Sequence, residues 1–427
     1  MSYLFDDGIS IQDSGNLTAF SRLRTADARL VGEWRYMYGS GTSVEQNDKL
    51  AGNGYLVADH ARNCYLARVS TANNDLVVRQ TKQYNSYIAG TSNLAFITFT
   101  ANQPKTNLVQ EIGLFDDYNG FFFRLNGTGA EFVIRKSSNY STITENVVSQ
   151  IDWNLDKLDG TKSKYNPSGY LADWSKSQIL VLDYQWLGLG RVRVGFSIDG
   201  MIQYVHQFTH ANQVTEVYIN QPSLPCRYSI KNVGTTSSNS ELMLICSAVY
   251  SEGSDVETGF SRTVSTGNTI HTLTNGTSEQ CVLAVKLKNS LLGKPNRSKS
   301  KFTNVNVTAT QDINYKVVVL PGNTAITSGT WQNVPGYGWN EYSTNITLNP
   351  TWKANNEFLV ITDDFALGGG GTGTNITTNS ATKTLDNRAL SIHQNYDSTD
   401  SQILAVIATR LTTDSDVRAS ISWLETK

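Results

Sequence analysis

Alternation of apolar and polar residues at period two dominates this chain. Val192, Val194, Phe196 and Ile198 alternate with Arg191, Arg193, Gly195, Ser197 and Asp199, which puts one set on each face of a strand. The surrounding stretch WLGLGRVRVGFSIDG (186–200) also carries Gly188 and Gly190, so a glycine-rich phosphate cradle competes with a β-hairpin. A dinucleotide fingerprint needs its last glycine to open a helix after a strand. No helical period follows here, so no helix N-terminus awaits a phosphate. Residues 178–208 therefore predict three antiparallel strands, with GLG and DG as the turns.

Similar short runs, rich in β-branched and aromatic residues and bounded by Gly, Asn and Asp, recur throughout: NGYLVAD (53–59), NCYLARVS (63–70), LAFITFT (94–100), FFFRLNG (121–127) and EFVIRKS (131–137). The NGTG between the last two predicts a hairpin turn. The pattern restarts in QCVLAVKLKN (280–289), INYKVVVLPG (313–322), NEFLVITDDF (356–365), QILAVIATRLT (402–412) and VRASISWLE (417–425), after a lower-complexity seam at 251–269. The glycine run at 368–371 is a loop inside this second part, and residues 1–30 have few apolar anchors and no period. The expected fold is all-β, with two antiparallel β-sandwich, jelly-roll-like domains preceded by an extended N-terminal arm. The arm takes 1–30, the large sandwich 31–265 and the smaller C-terminal sandwich 266–427. No period of 20–50 residues repeats, which argues against a solenoid or propeller.

Composition narrows the chemistry more than it identifies it. The 427 residues hold 35 Lys+Arg against 37 Asp+Glu, so no global basic field draws nucleic acid or an anionic membrane. The first twenty residues lack a secretory pattern and no segment approaches the ~20 apolar residues of a membrane span. The chain reads as soluble and made in the cytoplasm, without membrane insertion. Cys64, Cys226, Cys246 and Cys281 sit singly, which predicts buried free thiols rather than a disulfide framework or a zinc site. His206 and His210, four apart, fall on one face of a strand if the strand runs through both, but no third ligand accompanies them. Asp152, Asp156, Asp159 and Asp116–Asp117 do not match a calcium loop and read as turn chemistry. No nucleophile motif is present, and no catalytic residue, cofactor site or metal site is predicted.

Two surface-type segments remain. KLKNSLLGKPNRSKSK (286–301) holds six basic residues and no acid, a pattern of solvated loops and of contacts with anionic partners. Residues 330–352 gather Trp331, Tyr337, Trp339, Tyr342 and Trp352. Trp331, Trp339, Tyr342 and Trp352 are the candidate glycan contacts, since aromatic rings stack on sugars, although most such rings are expected to fill the core between sheets.

Several segments, in order, resemble a family of virion structural proteins of tailed bacteriophages, notably phages of cyanobacteria and other marine hosts. AFSRLRTADARL (19–30) resembles the family's A-F-G-R-L-R-V near the N-terminus, and VVRQTKQYNSYIAGTSNLAFIT (77–98) its R-x-S-K-x-Y-x-x-Y-x-P-G-K-S segment. EIGLFDDYNGFFFRLNG (111–127) resembles I-G-x-F-D-D-x-N-G-F-F-F, and WNLDKLDGT, WLGLGRVRVGFSIDG, PSLPCRYSIKN (222–232) and ICSAVYSEG (245–253) follow. The resemblance covers most of 19–253 and, more loosely, 281–331. Ser21 stands where the family has glycine, and GEWRYMYG (32–39) replaces a segment usually carrying Phe-Asp, so the arm's docking partner is not carried over.

The resemblance implies a structural component of the virion, assembled in the host cytoplasm: a fibre, collar or tail-associated protein that self-assembles, with a trimer favoured, and contacts the host surface. The arm, with Arg22, Leu23 and Arg24, would attach to other virion proteins. The alternatives are a capsid decoration protein and a virion-borne protein that binds or depolymerises host-surface glycan. No enzyme activity and no specific nucleic-acid partner are expected.

Overall fold

The computed structural model describes residues 2–4, 10–12, 17–19, 28–37, 45–138, 140–253, 259–274, 278–336, 338–353, 358–368, 380–384, 391–395 and 397–426. These residues form strands, with two three-residue 3-10 turns at Gln150–Asp152 and Asn323–Ala325 and no α-helix. The chain divides into two compact units, the first ending at Val256 and the second taking up the chain from Glu257.

The first unit contains β1 (Ala28–Arg35), β2 (Gln46–Ala51), β3 (Tyr55–Asp59), β4 (Cys64–Val69), β5 (Leu76–Thr81), β6 (Ser92–Thr100), β7 (Leu108–Phe115) and β8 (Gly120–Asn126). It continues with β9 (Gly129–Ser138), β10 (Thr142–Ser149), β11 (Ser177–Tyr184), β12 (Val192–Ile198), β13 (Met201–Phe208), β14 (Cys226–Asn232) and β15 (Ser240–Glu252). They pair antiparallel in a seven-stranded sheet, order β10-β9-β8-β7-β14-β5-β2, and an eight-stranded sheet, order β13-β12-β11-β6-β15-β4-β3, with β1 along the far end of β15. The chain passes repeatedly between the sheets, which makes this a jelly-roll-like sandwich.

The reason lies in the alternation. Ile112, Leu114, Phe121, Phe123, Phe132 and Ile134 of one sheet meet Ile97, Phe99, Leu180, Leu182, Val194 and Phe196 of the other in a single core. Phe123 is its hub, with ring centroids 5.9 Å from Phe99, 5.3 Å from Phe196 and 4.8 Å from Trp174. The stretch that opened as a cofactor question is the meander: β11, β12 and β13 pair in sequence. Asp199 and Gly200, both at positive φ, make the two-residue turn that matches strand twist. Gly195 sits at a bulge opposite Tyr204, where an added Cβ would lie 2.1 Å from the Gln203 carbonyl oxygen. Close backbone approach, not phosphate, explains this glycine.

The second unit contains β16 (Phe260–Ser265), β17 (His271–Leu273), β18 (Gln280–Leu287), β19 (Lys299–Ala309), β20 (Ile313–Leu320), β21 (Asn340–Ser343), β22 (Leu359–Ala366), β23 (Ser380–Thr384), β24 (Ile403–Arg410) and β25 (Ser415–Thr426). One sheet runs β16-β25-β19-β23, with β17 also on β25, and the other runs β21-β18-β24-β20-β22, extended by Gln332–Asn333 beyond β21. Phe302, Val305, Trp423 and Ile421 face Val285, Val317, Leu404 and Val406 across the core. β16, which lies inside the sequence range 31–265, pairs with Ser420–Glu425 and so belongs to this unit. A second apolar layer covers the other face of the β18-β24-β20 sheet, where Cys281, Val318, Ile403 and Ile407 pack under Ala325, Ile346 and Trp352.

Candidate functional site

The aromatic segment 330–352 is divided by the fold rather than gathered into one platform. Trp352 is only 8% exposed and packs in the outer apolar layer, its ring edge-on to Phe358 at 4.8 Å. Trp331 is half-buried against the same layer, with the Lys286 ammonium 4.4 Å from its ring centre. Tyr342, on β21, packs against the core between the sheets. Most of these rings are therefore structural, and two of them serve a layer between sheet and loop, not the space between sheets. Tyr337 lies outside the described residues, as do Arg22, Leu23 and Arg24 of the arm.

Trp339 is different. Its ring is half-buried, it stands 6.4 Å from the ring of Phe260 at 85°, and Phe260 is 59% exposed. The backbone here is pinned by Glu425, a fully buried carboxylate on β25. Its Oε1 accepts the Trp339 backbone N–H at 3.0 Å and the Trp423 indole N–H at 3.3 Å, while Arg262 Nε donates to Oε2 at 3.2 Å. Arg262 also donates to the Gly336 carbonyl at 3.0 Å and lies 5.8 Å from the Phe260 ring centre. The Trp339 carbonyl accepts from Lys288 N–H and from Asn296 Nδ2. The main chain of Trp339 is thus held from both sides while its indole N–H makes no hydrogen bond among the described residues. A partly exposed indole, an exposed phenyl ring beside it and a neighbouring guanidinium are what a polyhydroxylated ring uses for stacking and hydrogen bonding. Sequence reasoning picked out Trp339 but missed Phe260, Arg262 and Glu425, because long-range pairing of β16 with β25 brings them there.

The outer face of the seven-stranded sheet carries a connected cluster of charges. Arg124 lies 3.0 Å from Glu111, 3.9 Å from Glu131 and 2.7 Å from Glu145. Arg135 lies 2.9 Å from Glu145 and 3.5 Å from Glu111. Beneath them Phe115, Phe122 and Val133 are fully buried, with Arg135 over both rings and Arg227 over Phe115. Burial pushes Glu131 above the usual carboxylate range, with Glu145 and Glu111 adding to the rise against the pull of Arg124. Glu145 is held below it, against burial, by hydrogen bonds and charge from Arg124 and Arg135. All three carboxylates are engaged by guanidinium groups, which makes this a lattice tying β7, β8, β9 and β10 together.

A third cluster involves the arm. Leu17, Thr18 and Ala19 are buried, their carbonyl oxygens accepting from Arg193 (Leu17) and Arg191 (Thr18, Ala19). Arg193 pairs with the fully buried Asp183 at 2.5 Å, and the Tyr204 hydroxyl donates to the same carboxylate at 2.7 Å. Part of the expected free arm therefore lies against its own sandwich.

The other sequence candidates have structural roles. β13 ends at Phe208, so His206 and His210 do not share a strand face. Burial pushes His206 down to about 4, and its Nδ1 accepts the Asn154 N–H; His210 stacks on Tyr218 at 4.1 Å. Asp156 and Asp159 accept from backbone N–H groups of their own turns, as does Asp116. All four cysteines are free, and burial pushes Cys226 and Cys281 up to about 12. The basic run is split, with Lys286 and Arg297 buried and Lys288 bonded to the Gly338 carbonyl. No group of three His, Cys, Asp or Glu among the described residues is arranged to hold a metal.

No family model matches the chain, and no curated protein does. Among solved structures, the binding domain of Paraclostridial Mosquitocidal Protein 1 is similar at 12% identity and TM-score 0.31, over 53% of this chain and 50% of that one. The chain thus spans about half the length of that toxin domain. The carbohydrate recognition domain of Emp47p (9%, TM-score 0.33) covers 53% of this chain and 98% of that one. A carbohydrate esterase of Shiga toxin-encoding bacteriophage phi24B (9%, TM-score 0.31) covers 53% and 100%. Likenesses this remote say nothing about what this chain binds.

Proposed function

We propose that this chain is a non-catalytic, carbohydrate-binding β-sandwich protein carried on a tailed-bacteriophage particle. The observation that carries the binding role is the partly exposed Phe260–Trp339 ring pair beside Arg262, the Trp339 main chain fixed by the buried Glu425. With its main chain pinned from both sides and its indole N–H unbonded among the described residues, Trp339 meets a sugar ring at little cost in backbone entropy. The virion role rests on the resemblance of residues 19–253 alone. Fibre, collar, tail and capsid surface differ in copy number relative to the major capsid protein, which quantitative mass spectrometry of purified particles reads directly.

The test of binding is retention of the full-length chain on host-envelope polysaccharide, lipopolysaccharide and peptidoglycan. Trp339→Ala abolishes retention and Trp352→Ala does so only by unfolding the second unit. Retention unchanged by Trp339→Ala rejects the site. A depolymerase instead needs an acid and a base free to act, and the carboxylate raised by burial, Glu131, is tied to Arg124; release of products from these polymers by the wild type would overturn the non-catalytic reading.

A further inference from the structure

We infer that β10, Thr142–Ser149, is a self-association edge that pairs antiparallel with β10 of a second copy, fusing two seven-stranded sheets across a two-fold axis. β10 is an outer strand of its sheet, and nearly every residue in it is exposed. Among the described residues only β9 pairs with it, and none of them pairs with the backbone groups along its other side. Its sequence, TITENVVS, has no Pro, Gly or Lys and no bulge interrupts its pairing with β9. Such an edge templates another strand unless it is blunted.

The other edges of this unit are blunted. β13 is covered where Leu155 and Asp156 donate backbone N–H groups to the Val205 carbonyl and where Asn154 bonds both backbone groups of Gln207. β2 carries Asp48 and Lys49 within six residues. On β1 the Val31 carbonyl is taken by Gln83 Nε2, and β3 is only five residues long. In the second unit, the edge strand β22 holds adjacent Asp363 and Asp364 and is itself bulged at Ile361, between Val360 and Thr362. β10 alone among these is regular and unprotected.

The occupant follows from the strand's own composition. With Glu145 opposite Glu145 of the second copy, Ile143 falls opposite Val147 of that copy, and the reverse holds by symmetry. Ile143 and Val147 are 48% and 42% exposed and, like Glu145, lie on the outer face, so the pairing covers two apolar pairs. The one charge on the strand is ion-paired within its own sheet, each Glu145 lying 2.7 Å from Arg124 and 2.9 Å from Arg135, which weakens its repulsion of the second copy's Glu145 in this register. The contact is isologous and closes at two copies, leaving blunted edges outside. It therefore favours a dimer over the trimer expected from the sequence, and it stands independently of the glycan site.

The full-length chain is measured by light scattering at micromolar concentration beside Val147→Lys, Ile143→Lys and, as control, Leu359→Lys on β22. The expected result is a two-copy mass for the wild type and Leu359→Lys, and a twofold lower mass for the two β10 variants at unchanged circular dichroism. A double variant, Ile143→Cys with Val147→Cys, cross-links into a covalent dimer on oxidation, because the two sites on one chain are too far apart to join each other. A monomeric wild type, an oligomer that survives both lysine substitutions, or a double cysteine variant that stays uncross-linked overturns the inference.

Discussion

Trp339 and Trp352 lie thirteen positions apart in one aromatic segment, yet truncating them has opposite consequences. Trp352 is 8% exposed and packs against Phe358 and the residues that cover the β18-β24-β20 sheet. Replacing it with alanine removes a large buried ring and leaves a cavity, which costs about 3–5 kcal/mol. Trp339 is half-buried, and what fixes its position is its main chain, through Glu425, Lys288 and Asn296, none of which a Trp339→Ala change removes. Its cost is about 1 kcal/mol, set by the partial burial of one ring. Guanidinium unfolding of the full-length chain, followed by far-ultraviolet circular dichroism, measures both, and the same samples are tested for retention on polysaccharide. The expected pattern is a strongly destabilised Trp352→Ala and a nearly native Trp339→Ala that no longer binds. If Trp339→Ala is as destabilised as Trp352→Ala, its ring is a core element and the sugar platform fails.

Three further outcomes are expected. His206 sits near 4, lowered by burial, while an unfolded imidazole titrates near 6.5, so between those values the unfolded chain binds more protons. Stability is therefore whole above pH 6.5 and falls as pH drops toward 4, by up to roughly 3 kcal/mol; His206→Gln flattens this slope in urea midpoints taken from pH 7 to 4.5, and an unchanged slope excludes His206 as its source. Asp183→Asn removes the buried carboxylate that pairs with Arg193 at 2.5 Å and costs about 3–5 kcal/mol; limited proteolysis then cuts the N-terminal segment faster than in the wild type, and an unchanged rate rejects a role of this pair in holding Leu17. Gly195→Ala forces a methyl group to within 2.1 Å of the Gln203 carbonyl oxygen and lowers the thermal midpoint, at about 1–3 kcal/mol, whereas Gly200→Ala meets no neighbouring atom within 4 Å and is limited by its positive φ.

The local pattern by itself determined the all-β class, the meander of β11, β12 and β13, and the turns at 126–129 and 199–200, because alternation and turn chemistry act between residues close in sequence. It also separated the glycine-rich stretch from a phosphate site, since a period of two and a helix cannot coexist there. What lay beyond it depends on which distant strands pair. Trp331, Trp339, Tyr342 and Trp352 are neighbours in the chain, but the sheet and the loop over it send them to different layers, and only the pairing of β16 with β25 supplies Phe260, Arg262 and Glu425 to Trp339. The same holds for Glu111, Arg124, Glu131 and Glu145, four strands' contributions to one ion-pair lattice, and for Leu17–Ala19 meeting Arg191 and Arg193. Alternation tells each residue which face it occupies; only the tertiary structure decides which other strand that face will meet, because register and strand order are fixed by packing the whole core at once.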